Sequence, residues 1–405
     1  MIPRHALVPW MISLLSLTLF GSGAFAASIH PATATPESLL DRPVDLHAHL
    51  FMFEAAGISL LGGFEQPIRA KTWSDRVHSR INPESLEASP YSLVVAALYT
   101  HPFFRGTAND ALRRQLQEAQ KFIESHPHWA LARNCQEART LLEKNQRVLL
   151  LSLEGASDAL DPQTPLDAWL AEFPIAILTP LHFVDDWIGG AALLPGIRAI
   201  INPRGWMSSW RSPRGLAGEL LNPNGLSTAG KTFIEKMIDR KIWIDLAHSS
   251  QASLRDIQSL LQKHHQVPLF THTMLREYYP GERGITAEQL DYLKHHQGIV
   301  GLIPSEDELG NTRRKNPGCH SGLSAYLDQL RVTSSRLTAR SISVGSDLNA
   351  PLNFLGPECP DQAPGAAGVE PFVHYGHLMR LHQAIGERQI PLLTAREFLN
   401  RCPSR

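Results

Sequence analysis

The chain has 405 residues, of which 43% are hydrophobic and 19% charged, a globular composition with ample material for one large core and no bias toward disorder. Its 38 basic and 39 acidic side chains leave a formal charge of −1, which excludes the broad basic field of a nucleic-acid-binding surface. The 19 histidines stand out, because imidazole both ligates metals and moves protons near neutral pH, and position decides whether it does either.

In chain order the first element is a leader. Arg4 and His5 precede an apolar run over 6–20, followed by the small-residue stretch Gly23-Ala-Phe-Ala26. This is the layout of a secretory signal peptide, and the run is shorter than the roughly 20 apolar residues that cross a bilayer. The expectation is a signal peptide over 1–26 and a single domain over 27–405, exported to the periplasm or secreted. No cysteine lies near the cleavage point to carry a lipid, and no later segment reads as a membrane span.

Short apolar runs then alternate with helical patterns. Strands are predicted at 44–49, 93–98, 148–153, 175–179, 242–246, 269–271, 299–303 and 342–344, and helices at 111–125, 229–240, 251–262, 287–295 and 322–337. Alternation of β and α units gives a parallel sheet, and eight such strands give an α/β fold of the (β/α)8 TIM-barrel type. The segments 51–90 and 187–224, rich in Gly, Pro, Arg and Trp without a clean period, follow the first and fourth predicted strands, where barrels grow active-site loops.

The stretch Val44-Asp-Leu-His-Ala-His-Leu50 is the most informative. Residues two apart share a face of a strand, so Asp45, His47 and His49 point one way and Leu46, Ala48 and Leu50 the other. Polar groups turned into a barrel need a partner, because burying them unpaired costs several kcal/mol; a metal would supply it. Four more predicted strands end in a ligand type: Glu154, His248, His272 and Asp347. Any one of these is a weak signal, but together they line the C-terminal rim where barrel enzymes keep their chemistry.

Four imidazoles and two carboxylates suit Zn²⁺ better than Mg²⁺ or Ca²⁺, which prefer oxygen shells; Mn²⁺, Fe²⁺ and Co²⁺ stay open. Glu154 can bridge two cations, and a metal pair lowers the pKa of a shared water enough to present a bridging hydroxide near pH 7. Asp347 is then the natural general base and later proton donor. The four cysteines, Cys135, Cys319, Cys359 and Cys402, lack C-x-x-C spacing and allow three disulfide pairings; of these Cys319 with Cys359, in loops flanking one predicted strand, is favoured, and free thiols stay open.

Two other motifs have plainer readings. Gly225-Leu-Ser-Thr-Ala-Gly-Lys-Thr232 fits the P-loop pattern, but no apolar strand precedes it, so Ser227 or Thr228 reads as a helix cap. Trp206, Trp210 and Arg211 could stack on a ligand and more simply pack the loop.

The order D-x-H-x-H, E-G, H, H and S-D resembles the amidohydrolase superfamily. Ser152-Leu-Glu-Gly155, Leu178-Thr-Pro-Leu-His182, Ile244-Asp-Leu-Ala-His248, Phe270-Thr-His-Thr273, Arg283-Gly-Ile-Thr286 and Val344-Gly-Ser-Asp347 are similar to the membrane (renal-type) dipeptidases, peptidase family M19. The resemblance implies a metallopeptidase barrel with two zinc ions, hydrolysing dipeptides that carry a free C-terminal carboxylate. It implies Glu154 as the bridging ligand, with His248 and His272 on the second metal. His182 is implied as the histidine that polarises the substrate, and Arg283 as receiver of its carboxylate, with Arg276 a competing candidate. One departure is plain: the family's first motif reads H-x-D, and here it reads His47-Ala-His49. H-x-H is common elsewhere in the superfamily, where lactones, ureas and N-acyl groups are cleaved. Two alternatives therefore stand beside the dipeptidase: an amidohydrolase acting on N-acyl amino acids, lactones or related substrates, and a non-catalytic binding protein on the same barrel. A homodimer also stays open.

Overall fold

The computed structural model describes residues 38–403 except 56–63, 65–78, 101–105, 216–217, 280, 306–321, 351–354 and 356–374. Nine strands occur among them: β1 Val44–Ala48, β2 Leu93–Tyr99, β3 Trp129–Ala132, β4 Arg147–Glu154, β5 Ile177–Thr179, β6 Trp243–Ile244, β7 Leu269–Thr273, β8 Ile299–Leu302 and β9 Ile342–Val344. Most are near-continuous apolar runs, as strands covered on both faces require.

Every pairing is parallel, in the order β6-β5-β4-β2-β1-β9-β8-β7. The two ends of this path meet: Asp245, just past β6, bridges Leu269 of β7, and Leu246 N–H donates to the Leu269 carbonyl at 2.8 Å. Eight strands with intervening helices thus form the expected TIM-type barrel. β3 is an addition that the sequence did not signal. It pairs with the first half of β4, from Trp129 opposite Arg147 to Ala132 opposite Leu150, while the second half of β4 pairs with β5 from Ser152 onward.

Local chemistry sets the helix starts. Thr107 and Asp110 form a capping box ahead of Ala108–Ser125, as do Thr286 with Gln289 and Thr394 with Glu397. Ser227 caps Thr228–Asp239, its hydroxyl accepting from Gly230 N–H at 2.9 Å. A Cβ at Gly230 would lie 1.9 Å from the Ile188 carbonyl. Both glycine and cap in the P-loop-like stretch therefore serve packing.

The N-terminal end of the barrel is closed by a buried apolar cluster that includes Leu46, Val148, Ile177, Trp243, Leu269 and Phe398. Cys135, at the start of one helix, is disulfide-bonded to Cys402 just past the last helix, with Cα atoms 6.3 Å apart. The pair favoured from sequence, Cys319 with Cys359, lies outside the described residues, as does the stretch 1–26 expected to be a signal peptide. Beneath the opposite rim there is little interior space. A Cβ at Gly301 or Gly345 would come within 2.1 Å of the Thr271 carbonyl, so backbone itself floors the barrel there.

Candidate metal centre

All six residues expected as ligands meet at the C-terminal rim. His47 lies in β1 and His49 just beyond it, Glu154 ends β4, His248 follows β6, His272 lies in β7 and Asp347 follows β9. Each is buried, at 5% exposure or less. The side chain of Glu154 stands at the centre. Its Oε1 lies 3.0 Å from His248 Nε2, 3.2 Å from His272 Nε2 and 3.6 Å from His47 Nε2. Its Oε2 lies 3.2 Å from His49 Nε2 and 3.8 Å from His182 Nε2. Asp347 Oδ1 approaches His49 Nε2 at 3.3 Å and His47 Nε2 at 3.8 Å. The two nitrogen pairs face each other closely, His47 and His49 at 3.3 Å and His248 and His272 at 2.8 Å.

Backbone strain accompanies the convergence. His248 and Asp347 take left-handed conformations, φ +61° and +49°. Such positions in non-glycine residues cost of order 1–3 kcal/mol each and gather where function holds them. Gly155, at φ +77°, makes the same turn directly after Glu154 without that penalty.

The electrostatics favour positive charge between the carboxylates. Burial opposes the protonated form of His49, yet Asp347 and Glu154 outweigh it and raise its pKa to about 10. Burial likewise opposes ionisation of Glu154 and Asp347, but the surrounding imidazoles hold both carboxyls below their usual range. Burial drives His47 and His248 well below the ordinary histidine value. Against burial, His272, like His49, is pushed upward by the carboxylates; a divalent cation bound between them would take the place of those protons, so the donor set fits metal. Three overlapping His/Asp/Glu groups have their ligand atoms within 4.8 Å of one another: His47 with His272 and Asp347, His47 with His49 and Glu154, and Glu154 with His182 and His248.

The two expected substrate residues also reach the site. The His182 ring lies 4.4 Å from that of His248, and burial lowers its pKa to about 4. Arg283 places a guanidinium nitrogen 3.2 Å from His248 Nε2, and its side chain extends over the Phe183 ring. Arg276 does not compete. It is buried and donates to the carbonyls of Gly284 and Glu282 at 2.9 and 2.6 Å. The same loop ties down the long segment after β5, because the Glu282 carboxylate accepts N–H groups of Leu193, Asn222 and Gln251.

Several supporting roles at the site were not read from sequence, although Asp45 was placed on one face with His47 and His49. Tyr99, at the end of β2 and in register with Glu154, packs its ring against His49 and His182 at 5.6 and 5.1 Å. Asp245 accepts the hydroxyls of Thr179 and Thr271, both at 2.6 Å, and the Thr271 hydroxyl in turn lies 2.9 Å from His272 Nδ1. With its proton committed to Asp245, Thr271 can only accept from Nδ1–H, which leaves the His272 Nε2 lone pair facing Glu154 and the centre. Asp45 works similarly under β1, accepting from the N–H groups of His47 and Ser346 and from the Tyr375 hydroxyl. The available signals were the repeated Asp-Leu before a histidine and the position of Tyr99 at a strand end.

A (β/α)8 barrel with a buried His/Glu/Asp cluster at its C-terminal rim is the arrangement on which metal-dependent hydrolases place their chemistry. The family model of the membrane dipeptidases, peptidase family M19, matches residues 200–348, and this similarity supports a metallohydrolase. No curated protein matches it in sequence. Among solved structures, a metallo peptidase from Rhodobacter sphaeroides liganded with a phosphinate mimic of the dipeptide L-Ala-D-Ala is similar, with a TM-score of 0.66 at 15% identity over 90% of this chain and 99% of that one. A dipeptidase of family M19, dipeptidase AC, gives 0.63 at 16% over 90% and 100%. A probable dipeptidase from Pseudomonas aeruginosa gives 0.63 at 13% over 89% and 94%. At these identities the likeness is one of fold.

Proposed function

We propose that this protein is an exported dinuclear zinc dipeptidase. The observation that carries the reading is Glu154, whose two oxygens face the Nε2 atoms of five histidines at 3.0–3.8 Å. A carboxylate so placed is suited to bridge one cation held with His47 and His49 and another held with His248 and His272. A bound metal pair would supply Lewis acidity to the substrate carbonyl and an acidified water.

The protein's own groups divide the remaining work. Arg283 receives the C-terminal carboxylate of the dipeptide, for which a guanidinium offers a bidentate pair of donors. Phe183 backs that guanidinium and limits its motion. Because its pKa is depressed, His182 is neutral at ordinary pH and can donate Nε2–H to the scissile carbonyl oxygen as negative charge grows there. Asp347 takes a proton from the attacking water and returns it to the leaving amide nitrogen. The R. sphaeroides metallo peptidase with its phosphinate dipeptide mimic supports a dipeptide substrate on this fold.

His49 favours a second reading, cleavage of N-acyl amino acids, because an imidazole in place of a carboxylate leaves the site one charge more positive. A substrate panel separates the two: dipeptides including L-Ala-D-Ala against N-acetyl amino acids and lactones. Preferred turnover of dipeptides supports the proposal, and preferred turnover of N-acetyl amino acids replaces it. Asp347→Asn should lower kcat by roughly a thousandfold with metal still bound; retained turnover would remove Asp347 from the proton-transfer role.

A further inference from the structure

The long segment after β5 carries a surface that the hydrolytic reading does not use. Ile197 is 82% exposed, Trp210 61%, Met207 59%, and Ile200 and Ile201 50% each. They lie on the short helices Gly196–Ile201 and Pro203–Ser209 and the residue after them. Scattered single apolar residues on a surface are ordinary, but five large ones within fourteen positions mark an interaction site. Four arginines share the same stretch, Arg198, Arg204, Arg211 and Arg214, and all are exposed. No acidic residue occurs between Asp186 and Glu219.

The segment is held from beneath. Ala199, Gly205 and Ser209 are buried, and Asn202 both caps the second helix through Gly205 N–H and donates to Asp185 Oδ1 at 2.6 Å. Asp185 also accepts from Asn222 at 2.6 Å. The apolar and basic side chains are thus displayed on an anchored platform within the long segment that follows β5 and His182.

We infer that this platform docks on an anionic phospholipid surface, with Ile197, Ile200, Met207 and Trp210 entering the headgroup–acyl boundary and the four arginines pairing with lipid phosphates. Apolar residues with a tryptophan, flanked by arginines and free of carboxylates, are the composition of interfacial membrane binding. A second copy fits this surface poorly, since a two-fold contact would set four arginines against four arginines with no acid in the segment to separate them. Among the described residues no helix is long and apolar enough to cross a membrane, so the attachment would be peripheral and reversible.

The test uses the metal-loaded chain from Ala27, which keeps the whole Ser38–Arg405 compact unit and lacks the apolar leader. It is sedimented with vesicles of phosphatidylcholine alone or mixed with phosphatidylglycerol, with tryptophan emission followed in parallel. Binding to the mixed vesicles, a blue shift, and weakening by salt are expected, with little binding to phosphatidylcholine alone. Paired Ile197→Ser and Trp210→Ser substitutions should lower partitioning by at least ~10-fold. Each Arg→Gln change at 198, 204, 211 or 214 should lower it about fivefold, equivalent to ~1 kcal/mol per basic residue near an anionic surface. Circular dichroism confirms that each variant is folded, and the arginine variants keep the test valid if the apolar pair misfolds. Absence of binding to the mixed vesicles, or binding that these changes leave untouched, overturns the inference. A dimer in sedimentation velocity that Ile197→Ser and Trp210→Ser dissociate, without vesicle binding, would assign the face to a second copy instead.

Discussion

The two ends of the barrel solve opposite problems. At the N-terminal end, Leu46, Trp243, Leu269 and Phe398 fill a buried apolar cluster, closed by the Cys135–Cys402 bond. The one cation buried there among the described residues, Arg147, is satisfied by the carbonyls of Glu87, Ser89 and Tyr91. At the C-terminal rim, five histidines and two carboxylates crowd one another, His248 and Asp347 take left-handed backbone, and His49 Nδ1 and His248 Nδ1 are buried without a hydrogen-bond partner among the described residues. An end that serves only stability would not keep such a cluster. The difference locates the polar cluster at the rim and apolar packing at the base.

Substitutions should keep those roles apart. The largest effect belongs to Glu154→Gln, which should remove bound metal and lower turnover by more than about a thousandfold. Its metal-free melting temperature should stay close to that of the parent. A large fall in that temperature would mean that the rim also carries the fold. At the base, Phe398→Ala, which deletes a fully buried ring beside Trp243, should cost ~3–5 kcal/mol in denaturant unfolding. The kcat/KM of the surviving folded protein should be unchanged.

A third test uses pH. His382 packs against Tyr91 near the start of β2, and its Nε2 is buried without a hydrogen-bond partner among the described residues. Burial lowers its pKa from 6.5 to about 4. The folded state therefore resists taking up this proton. The stability tied to neutral His382 is fully present above pH 6.5 and is lost as pH falls toward 4. His382→Leu should flatten that slope, by up to ~3 kcal/mol at pH 4. Identical pH profiles for variant and parent would show that the site does not titrate as described. The smallest effect sharpens the account of the rim. Thr271→Val removes the hydroxyl between Asp245 and His272 and should weaken metal binding about 10-fold, while Thr271→Ser should restore it.

Much of this was legible in the sequence, for identifiable reasons. The eight barrel strands are buried on both faces, so each is a bounded apolar run, and every ligand lies at or near the C-terminal end of one of them. His47 and His49 were legible because alternation in a strand puts both on one face. Other features were hidden by distance or shortness. β3 is four residues long and pairs with half a strand. Cys135 and Cys402 are 267 residues apart, and nothing local connects them. Tyr99 was missed because the predicted strand stops at Leu98, one residue before the position that faces Glu154. The Asp245–Thr271–His272 chain joins two strands through side chains that individually look like ordinary polar residues. Arg276 and Arg283 could be told apart only once one was seen turned into its own loop.

The central claim is that Glu154 holds together a two-metal centre, and metal content per purified chain tests it most directly. The account predicts about two equivalents of a divalent metal per chain, removable by chelator with loss of hydrolysis and absent from Glu154→Gln. A folded parent protein that binds no stoichiometric metal, even when reloaded with Zn²⁺, would contradict it.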